Sequence, residues 1–362
     1  MIYQYEPLFE RKKLAEALYD YALDKNWYTE HWKTKEFEQK IREFLGVKYV
    51  FCVNNGTISL SMALLAEGIK AGHNVVVPSH SMMATANAVK LIGANPIFVD
   101  IDPENGCLNL EKAFEEDDIQ AVIYVSLNGR SHCEDELKDF IQVCQNSNIV
   151  FIEDAAQAFG SKRSGGQMIG NDDHLTSFSL SVPKIISTGQ GGILTTNDEI
   201  LALNVLQLKD HGRSEAGSDV YSNFGINSKF TDLQAIVGLS QMEDIEWRIN
   251  RKKDILSLYI DNLYPELLNK VKMLYNDFEY TVPWFIEIFT DKRDELKAYL
   301  LENDIKTRTI YQPIYSQGDY KLDLNLPNSE EFSRTGLWLP SSLTLTDEEI
   351  IIICQKIKEF LK

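Results

Sequence analysis

Apolar positions along this chain follow two rhythms. Between residues 10 and 24 they recur on one helical face (Leu14, Leu18, Leu23), and residues 34–45 repeat that spacing with Phe37, Ile41, Phe44 and Leu45 inward. Short apolar runs then predict strands at 49–53, 74–78, 96–100, 121–125 and 149–154. Helical stretches at 57–66, 84–92 and 134–146 fall between them. Strand and helix in alternation predict an open, largely parallel sheet covered by helices on both faces. Ligands of such sheets sit beyond the carboxyl ends of the strands, and Gly56, Pro78 and Asp154 fall at such ends. After residue 240 the rhythm changes to a long helical stretch (239–264), an apolar run (280–289), a further helix and a closing helix at 346–361. The pattern predicts a large α/β domain over 1–240 and a smaller α+β domain over 241–362.

A chain of 362 residues is long enough for two packed domains. Its net charge of −18 argues against the basic footprint of a nucleic-acid-binding protein. The same charge means that an anionic ligand must be met by a local set of donors. The five cysteines (Cys52, Cys107, Cys133, Cys144, Cys354) are odd in number and include no C-x-x-C spacing. They read as free thiols in a reducing cytoplasm, with neither a disulfide framework nor a metal site. The N-terminus lacks the basic start and apolar core of a signal peptide, and no apolar run approaches the ~20 residues of a membrane span.

Against this ordinary background two residues stand out. Asp154 ends the run Ile149-Val150-Phe151-Ile152-Glu153, and Lys184 lies between a Ser/Phe alternation and the turn Gly189-Gln190-Gly191-Gly192. Alone, such an aspartate reads as a helix cap and such a lysine as a solvated charge. Together, and in this order, they suit pyridoxal phosphate. A lysine amine forms a Schiff base with the aldehyde, and a carboxylate holds the pyridine nitrogen protonated. Gln157 would donate to the phenolic oxygen of the same ring. Gly56 and Thr57, where a strand gives way to a helix, would hold the phosphate on helix N–H groups, with Ser179 as a second ligand. The Gly-Gln-Gly-Gly turn does not fit the dinucleotide fingerprint, which counts against a nicotinamide enzyme.

Several further segments carry a family resemblance: Asn55-Gly56-Thr57, Pro78 through Asn87, Phe98-Val99-Asp100-Ile101-Asp102, Glu153-Asp154-Ala155-Ala156-Gln157, Phe178 through Lys184, His211-Gly212, Thr231-Asp232-Leu233-Gln234-Ala235 and Leu339-Pro340. Over nearly its whole length the chain resembles the DegT-type (DegT/StrS) sugar aminotransferases of the aspartate-aminotransferase (type I) fold. The wording of 126–130 and of the lysine segment is similar to the perosamine-synthase-like branch. The resemblance implies transfer of an amino group from L-glutamate, through pyridoxamine phosphate, to a nucleotide-linked 4-keto-6-deoxyhexose. The product would be an amino sugar for O-antigen, lipopolysaccharide or other glycan assembly. Lys184 and Asp154 would be catalytic, and Asn227 would reach the phosphate of a neighbouring subunit, which implies a homodimer with shared active sites. His211, Lys229, Arg308 and Tyr311 fall where the family builds its substrate pocket.

Departures from the family's pattern also stand in the sequence. Met82 takes the slot of an aromatic residue against the cofactor ring, where a thioether can still pack. Ser181 replaces a histidine, and Glu30-His31-Trp32 replaces a stretch that usually contains glycine, which implies a remodelled sugar pocket. The alternatives are a 3-keto-sugar aminotransferase of the same family or a non-catalytic regulatory protein on the same fold. A sugar deoxygenase of the family would carry histidine in place of Lys184.

Overall fold

The computed structural model describes residues 1–24, 27–116, 118–215, 219–267, 269–274 and 277–362. In chain order the elements are α1 (Arg11–Asp24), α2 (Trp32–Leu45), β1 (Tyr49–Val53), α3 (Gly56–Ala66), β2 (Asn74–Pro78), α4 (Ala84–Leu91), β3 (Asn95–Val99), β4 (Ile119–Val125), α5 (Glu134–Asn146) and β5 (Val150–Asp154). There follow β6 (Leu175–Ser179), β7 (Gly192–Thr196), α6 (Glu199–Lys209), α7 (Asp232–Met242), α8 (Ile245–Leu267), β8 (Ile286–Phe289), α9 (Arg293–Glu302), β9 (Arg308–Thr309), α10 (Pro327–Thr335), β10 (Gly336–Leu339) and α11 (Asp347–Leu361).

Seven strands form one sheet in the order β1-β7-β6-β5-β4-β2-β3. β2 to β6 pair in parallel, while β7 is antiparallel to both of its neighbours. The largely parallel α/β architecture expected from the sequence is the one observed. One apolar cluster joins α3, α4 and α6 to the sheet, and others place α2, α7 and α5 against it. The expected first-half elements all form, with ends shifted by one or two residues. β6 and β7 were not anticipated, because their buried positions include Thr176, Ser177, Thr195 and Thr196, and the apolar signal of a strand is diluted there. β8, β10 and β9 make a separate three-stranded antiparallel sheet packed under α8, α9 and α11. The helical stretch expected at 239–264 is broken at 243–244 into α7 and α8. Among the described residues no helix is long and apolar enough to cross a membrane.

Asp232, at the start of α7, organises the N-terminal region. Helix α2 has no side-chain cap of its own at His31, and a helix start leaves its first amides without intrahelical partners. The Asp232 carboxylate accepts from the amides of His31 (2.8 Å), Lys33 (3.2 Å) and Thr34 (3.0 Å), and from the hydroxyls of Thr34 and Tyr21 (both 2.8 Å). Its side chain is fully buried. Asp232→Ala removes all of these acceptors at once, so a loss of about 3 kcal/mol of stability is expected from the stranded donors. Chemical denaturation of the two proteins checks it.

Candidate active site

β5 carries the first functional side chain. Successive side chains on a strand point to opposite faces, so Glu153 and Asp154 part company. Glu153 is wholly buried against Arg163, whose Nη2 lies 2.7 Å from Glu153 Oε2 and 3.0 Å from Asp172 Oδ2. Burial pushes this carboxyl up, but the charges and hydrogen bonds of Arg163 and His174 together outweigh it and hold the group at about 2. Glu153, Asp172 and His174 lie close enough to share a cation. The Arg163 guanidinium already bridges the two carboxylates, and its charge opposes that use.

Asp154 is buried too, but it has no arginine. Its Oδ2 accepts from Thr85 Oγ1 (2.8 Å) and its Oδ1 from the amide of Ala156 (3.1 Å). Burial raises its pKa, against the pull of these two donors and of Lys184. A desolvated carboxylate with only neutral donors at hydrogen-bond distance favours a cationic partner.

Lys184 lies in the loop between β6 and β7, where its amide donates to the Ser181 carbonyl at 3.0 Å. Burial lowers its pKa to about 8, with the Asp154 charge opposing the shift. Its Nζ sits 4.1 Å from the centre of the Trp284 ring. Lys184 thus feels the Asp154 charge, and it lines one cavity with Ala156, Gln157 and Ser179, just beyond the end of β5.

The expected phosphate ligands assemble beside them. Asn55 caps α3 by accepting from the Ile58 amide at 2.9 Å, and Gly56 and Thr57 open that helix. A Cβ added at Gly56 would lie 3.1 Å from Ser179 Cβ and 3.4 Å from its hydroxyl, so glycine leaves room between the helix start and the serine. Gly192 is required by contact: a Cβ there would stand 2.5 Å from the Asn55 carbonyl oxygen. The last glycine of the Gly-Gln-Gly-Gly turn thereby lets β7 lie against the α3 loop. Ser181 adds a second hydroxyl, 3.2 Å from that of Ser179. The strip carrying Asn227 runs alongside, with the Asn54 amide donating to the Ser228 carbonyl at 3.1 Å and Val53 bridging Lys229. Asn227 itself is exposed.

Gln157 is oriented by Asn128, whose amide donates to Gln157 Oε1 at 2.7 Å. The carbonyl end is thereby used and the NH2 end is left as a donor. Asn128 also exchanges hydrogen bonds with the backbone of Phe285, at 2.7 and 2.9 Å, which ties residues 126–130 to the second half of the chain. Met82 is 49 % exposed.

The four expected substrate-pocket residues divide into two groups. Arg308 stacks its guanidinium 5.3 Å from the Trp338 ring centre, and Tyr311 meets the same ring edge-on at 4.8 Å. Trp338 in turn contacts Trp284, at 5.5 Å, so this pair reaches the Lys184 loop through two indoles. His211 and Lys229 gather instead around Asp210. Lys229 Nζ lies 2.7 Å from the Asp210 carboxylate, and His211 stands on a strained backbone with φ of 59°. Glu30, expected to remodel the sugar pocket, is held by the buried Lys209 at 2.8 Å. Its position is set by this ion pair, which Lys209 also extends to Glu38.

No sequence motif marks Trp284, Thr85 or Lys252 for this site. Thr85 lies within the Pro78–Asn87 segment and faces Asp154, one turn beyond Met82. Trp284 and Lys252 come from the second half of the chain, and no local pattern links them to Lys184.

Comparison with known proteins places this arrangement. The sequence profile of the DegT/DnrJ/EryC1/StrS aminotransferase family matches residues 10–358. GDP-perosamine synthase of Escherichia coli O157:H7 is 33% identical over 346 residues, spanning 94% of this chain and 93% of that protein. A crystal structure of a family member from Brucella abortus superposes with a TM-score of 0.88 at 29% identity, covering 97% of this chain and 96% of that one. NtdA of Bacillus subtilis, solved with bound pyridoxamine phosphate, gives 0.86 at 26% identity over 96% and 82% of the two chains. The chain belongs to the DegT/DnrJ/EryC1/StrS aminotransferase family.

Proposed function

We propose that this chain transfers an amino group from L-glutamate to the keto group of a nucleotide-linked 4-keto-6-deoxyhexose, using pyridoxal phosphate, and supplies an amino sugar for surface polysaccharide. The observation that carries the reading is one cavity lined by Lys184, Ser179, Ala156 and Gln157 at the end of the strand that carries the buried carboxylate Asp154. The donor set suits the cofactor: a desolvated acid for the ring nitrogen, an amide donor for the ring oxygen, and a glycine-backed helix start with two serine hydroxyls for the phosphate. The likeness to GDP-perosamine synthase supports a nucleotide sugar as the acceptor.

When bound, the cofactor supplies an electron-withdrawing ring that stabilises negative charge on the substrate carbon that loses a proton. Asp154 would keep the ring nitrogen protonated, and Gln157 would donate to the ring oxygen through its Nε2. Lys184 would hold the cofactor's aldehyde carbon, and as a free amine it would carry the proton as general base and acid. Gly56, Thr57 and Ser179 would bind the phosphate, and the partner subunit's Asn227 would complete that site in a homodimer. Met82 would pack against the ring in the slot where the family carries an aromatic residue. Arg308, Tyr311, His211 and Lys229 meet the anionic parts of the two substrates. We take residues 1–240 as the cofactor-holding domain and 241–362 as the smaller one. All five cysteines are unpaired, as suits a reducing cytoplasm.

The test is the absorption spectrum of the protein loaded with pyridoxal phosphate, before and after L-glutamate. A yellow band that bleaches with release of 2-oxoglutarate is expected; a band indifferent to glutamate overturns the donor, and no band overturns the cofactor. A pH dependence goes with it. Burial lowers the Lys184 pKa to about 8, so the reactive neutral amine grows as pH rises toward that point. Capture of pyridoxal phosphate by cofactor-free protein should quicken about tenfold per pH unit below it and level off above. Stopped-flow absorbance across pH 6 to about 9.5 reads the bend.

A further inference from the structure

Trp284 contributes nothing to the roles assigned above, yet it is bound to the Lys184 loop at two points. Its indole N–H donates to the Pro183 carbonyl at 2.6 Å, one residue before the lysine. Its ring face receives the Lys184 ammonium at 4.1 Å. The ring is itself held from behind, stacked on Phe285 with centres 3.9 Å apart and edge-on to Trp338 at 5.5 Å. Its backbone is pinned from α8: Lys252, 3 % exposed, donates to the Trp284 carbonyl at 2.8 Å and to the Ser341 carbonyl at 2.6 Å. Burial alone pulls Lys252 down to about 7, so this tie is made at the cost of desolvating an amine.

We propose that Trp284 is a positioning residue for Lys184, a perch that receives the ammonium on its indole face whenever the amine is not bonded to cofactor, with Lys252 fixing the perch in place. The idea rests on Lys184 being the cofactor lysine. In each catalytic cycle that amine must leave the cofactor, carry a proton and return. A free ammonium would otherwise swing toward Asp154, where the pyridine nitrogen has to bind. An aromatic face attracts a cation without a formal charge and without accepting its proton, so it holds the amine off the acid while leaving it able to react.

The experiment measures the pH at which Lys184 becomes half reactive in cofactor-free protein, by competitive acetylation and mass spectrometry of its peptide. Trp284→Phe keeps an aromatic face with a weaker field, and Trp284→Leu keeps apolar bulk with none. Losing the face destabilises the charged form, so the midpoint should fall by roughly half a unit to one unit in Trp284→Leu and by less in Trp284→Phe. An unchanged or raised midpoint in the folded Phe variant overturns the perch, because shielding alone would then explain the indole. The measurement needs no cofactor. A protein that gives no yellow band with pyridoxal phosphate therefore sinks the functional reading, whereas a flat titration in a protein that does give the band sinks only this one.

Discussion

Lys184→Ala is expected to abolish steady-state amino transfer, with a rate loss of at least about 10⁴-fold. The variant removes both the amine that carries the cofactor carbon and the group that moves the proton, and positioned acid–base catalysis alone accounts for about 10²–10⁴. The fold should survive. In the native protein burial works against the Lys184 charge, and the side chain is half-buried in a loop, not in a core layer. The cofactor should still bind through its phosphate and ring contacts, but without the lysine bond it would be lost more readily on dialysis. Steady-state consumption of L-glutamate, followed by 2-oxoglutarate release, is the measurement. Steady turnover in Lys184→Ala would remove the residue from the mechanism.

Asp154→Asn should cost about 10³-fold in rate, in line with the loss of a pre-organised charge at a desolvated site. The substitution separates charge from packing. The amide oxygen can still accept from Thr85 or Ala156, as the carboxylate does at 2.8 and 3.1 Å. It also relieves the burial that pushes the Asp154 carboxyl upward, so the melting temperature should hold or rise. What the variant lacks is the ability to keep a pyridine nitrogen protonated. Near-normal kinetics would mean that the ring partner lies elsewhere. A collapsed melting temperature would instead mark Asp154 as a structural acid.

Local signals in the sequence carried much of this arrangement. The apolar run that ends at Asp154, the strand-to-helix change at Asn55-Gly56-Thr57 and the odd placement of Lys184 each sit within a few residues of their own cause. The structure brings these segments to one place because parallel strands all deliver their carboxyl ends to the same edge. β6 and β7 were hidden because central strands bury hydroxyl side chains as readily as aliphatic ones when the backbone ladder is complete. Long-range partners were hidden for a different reason. Trp284 meets Lys184, Asp232 caps a helix that begins at Trp32, and Lys209 claims Glu30, in each case across 100 or more positions. No periodicity encodes such a meeting. Arg308 and Tyr311 were named together and remain together on Trp338, while His211 and Lys229 were named with them and gather around Asp210.

The two acids at the end of β5 show how narrowly the chemistry is specified. Glu153 and Asp154 are neighbours with opposite assignments: one is neutralised by Arg163 and held at about 2, the other is kept away from any guanidinium and pushed upward. Only strand register separates them. β5 is held on both sides, with Asp154 opposite Val125 on β4 and Ser177 on β6. A slip of one residue would turn Glu153 toward Lys184 and Asp154 into the arginine nest. Composition and net charge would be unchanged, and the protein would have the right residues and no working site. Ladder hydrogen bonds on β4 and β6, remote from any substrate, therefore act as the selector that decides which of two adjacent carboxylates does chemistry.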